Sequence, residues 1–315
     1  MNENLTKLNI SIFLTTALVF GAIAALLGLV LLVSGATGGE AILLWIFISF
    51  FFIFIQWFFG PAIIKLFTRA RKAGEQEFPE LHEMVARLSK TAGIPKPTLY
   101  IVENRNPNAF AFGRTQKSAG IAVHTGLLQV LNKEELEGVI AHEIGHIKHR
   151  DVTVMTIASS LPVLLYFLVV LFAPRDRNKG LAGMLAVIVG GIIARLIGQL
   201  LVMWLSRRRE YYADAFAAHA TKKPLNLMSA LAKITYRIEP KNENEGLKSL
   251  YIANPSFAEK QSIAEISEAL AKGNKQAIEE AIEREKKHGA LELFMTHPLT
   301  AKRLEALWKI KKEAY

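Results

Sequence analysis

The chain has 315 residues and a formal charge of +10, and 51% of it is hydrophobic, ample apolar side chain to bury, which excludes a disordered chain. It contains no Cys, which excludes a disulfide scaffold, a Cys-based zinc site, an iron–sulfur cluster and a thiol nucleophile. A mean hydropathy of +0.24 beside a strongly basic balance means that apolar and basic residues sit in different places, and the basic ones suit either nucleic acid or an anionic membrane face.

No charged residue falls between Lys7 and Glu40. Residues 10–33 inside that gap are long enough to span a bilayer, which takes about 20 apolar residues. The run is too long for the apolar core of a signal peptide and has only Lys7 before it, so it is predicted to be retained. A second uncharged run, residues 41–64, follows a short link free of Lys and Arg, and Lys65, Arg69, Arg71 and Lys72 come directly after it. Residues 1–64 therefore read as a transmembrane hairpin. By the positive-inside rule its tip lies outside and residue 65 onward is cytoplasmic.

Residues 65–151 read as the first part of a cytoplasmic domain. Helical spacing of apolar residues marks 75–92, and short extended segments fall at 98–102, 109–112 and 120–123. Asn132 and Glu135 have capping-box spacing, so a helix is predicted to begin there. His142 and His146 are then four apart on one face, as two ligands of a single metal must be. Glu143 projects beside them, where it can take a proton from water. This is the HExxH pattern. A catalytic zinc site needs a third protein ligand. The variant that supplies a third His six residues on fails here, because Val152 stands at that position. His149 reads as a basic surface residue at a helix end.

Residues 152–206 contain two more apolar runs, one with Pro162 and one interrupted by Arg195 and Gln199. They form a second membrane hairpin that either spans fully or dips partway, because the connector from Arg175 to Lys179 puts three positive charges on the wrong side for simple topology. Arg195 either snorkels or has a role near the active site. Residues 207–315 read as the second part of the domain, mostly helical. If the apolar runs form a hairpin, its two ends return to one membrane face, and Glu210 becomes the best candidate for the third ligand. Asp214, one turn further, can orient a ligating His through its other ring nitrogen.

Five segments occur in an order that resembles the HtpX-type membrane zinc metallopeptidases and, more distantly, the CAAX prenyl endopeptidases. They are Pro107-Asn-Ala-Phe-Ala-Phe-Gly113, Thr125-Gly-Leu-Leu128, Glu134 through His146, Ser206-Arg-Arg-Arg-Glu-Tyr-Tyr-Ala-Asp214 and Thr296-His-Pro298. The resemblance covers most of the chain. It implies a mainly α fold with a small β-sheet, a gluzincin-like α+β metalloprotease domain, plus four transmembrane or membrane-embedded helices. It also implies one catalytic zinc on His142, His146 and Glu210, with Glu143 as general base. Asn108 would contact substrate backbone, His297 would stabilise the developing oxyanion, and Arg303 would order the site. The implied setting is a multi-pass protein of the cell membrane that acts in stress response and quality control on misfolded or damaged membrane proteins.

The expected function is therefore a zinc metalloendopeptidase with protein or peptide substrates, in contact with a lipid bilayer and not with nucleic acid, since basic residues cluster beside apolar runs. A site-2-type intramembrane metalloprotease is disfavoured, because Lys133, Glu134, Glu135, Glu137, Lys148 and Arg150 flank the motif and make its helix too charged for lipid. A non-proteolytic scaffold or chaperone would not need Glu143. A transporter would put its pathway at Arg195.

Overall fold

The computed structural model describes residues 39–172, 180–237, 268–270, 275–286 and 295–314. The chain forms two compact units, Met1–Ile55 and Gln56–Tyr315. The described part of the first is the N-terminal portion of helix α1 (Gly39–Thr68), with the Phe47 and Phe51 rings exposed. Everything that follows concerns the second unit.

Strands β1 (Arg71–Lys72), β2 (Thr98–Val102), β3 (Ala109–Phe112) and β4 (Gly120–His124) form a sheet in the order β1-β2-β4-β3. β2 and β4 pair in parallel and the outer pairs are antiparallel. Alternation decides the faces. Leu99, Ile101, Ala109, Ile121 and Val123 enter the main core, while Tyr100, Val102, Phe110, Phe112 and Ala122 form a second cluster with Ile64 and Ala70. The three predicted extended segments are thus confirmed, the third longer by His124. The two-residue β1 is too short to leave an alternating signature. Among the described residues β3 lies at the edge of the sheet, paired on one side with β4.

The helices of the main core are α2 (Pro79–Ala92), the short α3 (Thr125–Val130), α4 (Lys133–Lys148), α8 (Pro224–Arg237), α9 (Lys275–Lys286) and α10 (Thr300–Ala314). α4 is nearly all buried, and it starts at the predicted capping box. Asn132 accepts from Glu135 N at 2.8 Å, and the Glu135 side chain accepts from Asn132 N at 3.0 Å. Glu135 also accepts from Ser229 Oγ at 2.6 Å and Lys233 Nζ at 2.8 Å, which ties the start of α4 to α8. Burial pushes this carboxyl up, but Lys233, Ser229 and the Asn132 N–H outweigh that and hold it below the ordinary value. Its contribution is therefore fully present above the unfolded-state pKa and is lost as pH falls through the lowered folded value. Glu135→Ala is expected to cost about 1–3 kcal/mol near neutral pH. The gap to the parent should close in acid when thermal unfolding is followed in detergent. A gap independent of pH would remove the ionic part of this account.

The apolar runs differ from four uniform spans. The first, residues 10–33, lies outside the described residues, as does the Arg175–Lys179 connector. The second falls within α1. The third is broken at Ser159 and Ser160 into α5 (Asp151–Ala158) and α6 (Leu161–Phe172), because Pro162 has no N–H and is best accommodated in the first turn of a new helix. The fourth opens α7 (Gly180–Thr221), a helix of 42 residues. Among the described residues one stretch, Leu185–Thr221, is long and apolar enough to cross a membrane. At 1.5 Å per residue α7 is about 63 Å long. It therefore carries both an apolar half, with Ile188, Ile192, Leu196 and Trp204 exposed, and a polar half that enters the core. Gly191 and Gly198 let α6 approach closely: a Cβ on Gly191 would meet the Tyr166 ring at 2.6 Å, and one on Gly198 would meet Pro162 Cα at 2.7 Å.

Candidate active site

α4 and the polar half of α7 cross beside the edge strand. Gly145, inside the HExxH segment, permits the crossing: a Cβ there would stand 3.1 Å from Ala213 Cα. His142 and His146 project from one face of α4, with Nε2 atoms 3.1 Å apart. Glu210 of α7 stands against both, at 3.6 Å from each Nε2. These three residues form a group able to hold a metal ion.

Each imidazole is oriented by a carboxylate. His142 Nδ1 lies 2.9 Å from Asp214 Oδ1, and His146 Nδ1 lies 2.6 Å from Asp151 Oδ2. The tautomers that donate Nδ1–H to these carboxylates leave both Nε2 lone pairs facing one another, with Arg303 Nη2 3.4 Å from that of His142. Glu210 Oε2 is buried and accepts no aligned hydrogen bond, although Arg303 Nη1 stands 3.2 Å away. Two imidazole nitrogens and a carboxylate oxygen converging in this way make a donor set suited to a cation, with the Arg303 guanidinium flanking it on one side. Zinc bonds of about 2.0–2.1 Å imply donor–donor edges of about 3.3 Å in a tetrahedron, close to the spacings here. The donor set, two imidazoles and one carboxylate, fits zinc.

Glu143 is 3% exposed and accepts from the Ala111 N–H at 2.6 Å. Burial pushes its carboxyl above the ordinary range, against the pull of His146 and His142. Ala111 belongs to β3, so the group beside the histidines is tied directly to the unpaired edge of the sheet.

Arg303 of α10 is 1% exposed. Its Nε and Nη2 donate to the two oxygens of Asp214 at 2.8 and 2.7 Å. Its pKa is raised: burial alone would lower it, but the charges of Asp214 and Glu210 prevail. His297 lies just before α10, with Nε2 3.6 Å from Glu210 Oε1 and Nδ1 3.0 Å from Thr296 Oγ1. Burial pushes the His297 imidazole below its ordinary value, against the opposing pull of Glu210. The segment that carries it is anchored by Arg207, which donates to Met295 O at 2.7 Å.

The structure thus brings His142, Glu143, His146, Glu210, Asp214, His297 and Arg303 together. Asn108 is fully buried directly before β3, and its carbonyl accepts from His124 N at 2.9 Å. Arg195 lies fifteen residues before Glu210 on the same helix, about 22 Å away along its axis, and is outside the site. His149 closes α4 as predicted but is half-buried, its ring packed near Tyr212 and Phe216. Arg207 is buried, and Arg209 pairs with Asp151 and donates to His149 O at 2.6 Å. Asp151 and the Ala111 N–H were not foreseen. The first carries only a weak sequence signal, a lone carboxylate five residues past His146, and the second is backbone and carries none.

A mostly helical domain with a small sheet, an HExxH helix and a carboxylate brought in by a second helix defines a metallopeptidase architecture. The model of peptidase family M48 matches residues 75–311, and the chain belongs to that family. A protein named Protease HtpX homolog from Methanothermobacter thermautotrophicus is 42% identical over 236 residues, which is 74% of this chain and 88% of that protein. A protein of the same name from Pyrococcus furiosus is 37% identical over 300 residues, covering 92% and 94% of the two chains. The crystal structure of S. mikatae Ste24p superposes with a TM-score of 0.56 at 20% identity, over 93% of this chain. This chain spans 64% of the length of that structure, and the likeness is one of fold.

Proposed function

We propose that this protein is a zinc-dependent endopeptidase of the membrane in which His142, His146 and Glu210 hold the metal and Glu143 is the general base. The observation that carries the reading is the convergence of two imidazole Nε2 atoms and a buried carboxylate on one point. Zinc, when bound, would supply the Lewis acidity that makes water a nucleophile near neutral pH and polarises a carbonyl. Glu143 takes the proton of the attacking water and returns it to the leaving amine. Its raised pKa, caused by burial, suits a group that must accept a proton and then give it up. Asp214 keeps the His142 imidazole oriented, and Arg303 holds Asp214 and Glu210 in place. His297, beside Glu210, is available to donate to the scissile oxygen as it gains charge.

The open edge of β3 supports binding of substrate as an added strand through main-chain hydrogen bonds, with Asn108 at the head of that strand. Recognition of backbone demands an extended, unfolded segment and little else. This supports misfolded or damaged membrane proteins as the substrate class. The apolar half of α7 and the basic residues Lys65 to Lys72 support a multi-pass protein of the cell membrane, with residues 1–64 and 152–206 as membrane hairpins and 65–151 and 207–315 as one cytoplasmic catalytic domain.

The test is metal content and proteolysis of the full chain in detergent. Glu210→Ala is expected to lower zinc affinity and casein degradation by more than about 100-fold, beyond the roughly 10–100-fold loss that follows removal of a merely supporting group. Unchanged zinc occupancy would remove Glu210 from the ligand set.

A further inference from the structure

The second histidine of the pair is held by residues that the reaction above does not need as acids, bases or ligands. Asp151 is the first residue of α5, and Arg150 before it has φ 56°, a left-handed conformation that turns the chain back on itself. The turn carries Asp151 under the ring of His146, where Oδ2 meets Nδ1 at 2.6 Å. The other oxygen, Oδ1, receives Arg209, the residue next to Glu210 on α7. The same Nη2 of Arg209 also donates to His149 O, at the C-terminal end of α4. Asp151 and Arg209 are both largely shielded, with side-chain exposures of 9% and 16%. His142 is held in a matching way by Asp214 and Arg303.

We propose that Asp151 and Arg209 are positioning residues of the metal site: Asp151 fixes the His146 ring with Nε2 turned to the site, and Arg209 keeps Asp151 aimed while locking the helix of Glu210 to the end of the helix that carries both histidines. An Arg–Asp pair serving stability alone would have no reason to turn its second oxygen onto His146 Nδ1. The geometry also has a consequence for the membrane part. α5 opens the second apolar hairpin and α7 closes it, so this couple clamps the two arms at their base, and the same clamp seats a metal ligand.

The inference rests on the reading of His142, His146 and Glu210 as zinc ligands, and the experiment separates the two. Zinc affinity of the full chain in detergent is measured by competition with a chromophoric chelator, and peptide hydrolysis is measured at saturating zinc. Asp151→Asn preserves shape and removes the charge. It is expected to raise the zinc Kd about 10–100-fold and to lower kcat with KM unchanged. Arg209→Met should move both in the same direction, and Arg209→Lys should recover part of the loss. The proposal is overturned if Asp151→Asn keeps the parental zinc affinity and kcat, or if it lowers only the thermal midpoint. A His146→Ala variant with parental zinc affinity would overturn the ligand reading itself and this inference with it.

Discussion

Glu143→Gln is expected to abolish measurable proteolysis while leaving zinc bound and the fold intact. Gln has the size of Glu and keeps a carbonyl oxygen for the Ala111 N–H, so β3 stays tied to α4. Glu143 is buried, and burial already opposes its charged form, so replacing it with a neutral amide removes no net stabilisation of the fold. What disappears is the only group in the proposed mechanism that accepts the proton of the attacking water. General base catalysis is worth on the order of 10²–10⁴ in rate, and kcat should fall by that much. The measurement is casein degradation by the detergent-purified chain, with zinc quantified in the same sample. Parental turnover by this variant would refute the mechanism. Loss of zinc along with activity would instead make Glu143 a structural partner of the site.

The second large effect falls on stability. Arg303→Met should lower the free energy of unfolding by about 3–5 kcal/mol, because it strands buried charge. Arg303 is fully enclosed, forks onto Asp214 with two hydrogen bonds and faces Glu210 at 3.2 Å. Met fills a similar volume but leaves two buried carboxylates without their counter-charge. Zinc affinity should fall as well, since Asp214 orients His142 and Glu210 is itself a proposed ligand. Arg303→Lys is expected to recover little, because an ammonium cannot reproduce the planar fork that meets both oxygens of Asp214. Thermal unfolding in detergent with and without added zinc tests both parts. A Lys variant with parental stability would show that charge alone, and not the fork, holds the site.

Much of the site was legible because it is written at short range. The capping box at Asn132 and Glu135 sets the start and phase of α4, and that phase places His142 and His146 on one face with Glu143 beside them. The strands were equally readable, since alternation of apolar residues records which side of the sheet each faces. Glu210 and Asp214 were reached by a longer argument, that the ends of an apolar hairpin must return together. Glu210 and Asp214 do lie beside His142, although the third run is not one helix but two. His297 and Arg303 entered only through resemblance, as nothing in their own neighbourhood marks them.

Other features were illegible for physical reasons. Basic residues near an apolar run normally mark the cytoplasmic border, and Arg207, Arg208 and Arg209 fit that pattern in the sequence. α7 continues past the apolar stretch without a break, however, and its rotation turns Arg207 and Arg209 into the domain while Arg208 stays exposed beside Trp204. Asp151 depends on a single left-handed residue at Arg150, a backbone choice that a non-glycine sequence does not advertise.

The amino-acid sequence by itself determined the chemistry available: no thiols, two histidines one helical turn apart, a carboxylate between them and apolar runs on either side. Local periodicity and composition suffice for that. Only the tertiary structure decided which distant groups converge on those histidines, namely Glu210 and Asp214 from α7, Arg303 from α10, Asp151 from beyond a turn and the Ala111 N–H from an edge strand. Convergence depends on helix rotation, close approach at Gly145 and the cancellation of buried charge, and these are properties of packed elements and not of any one segment.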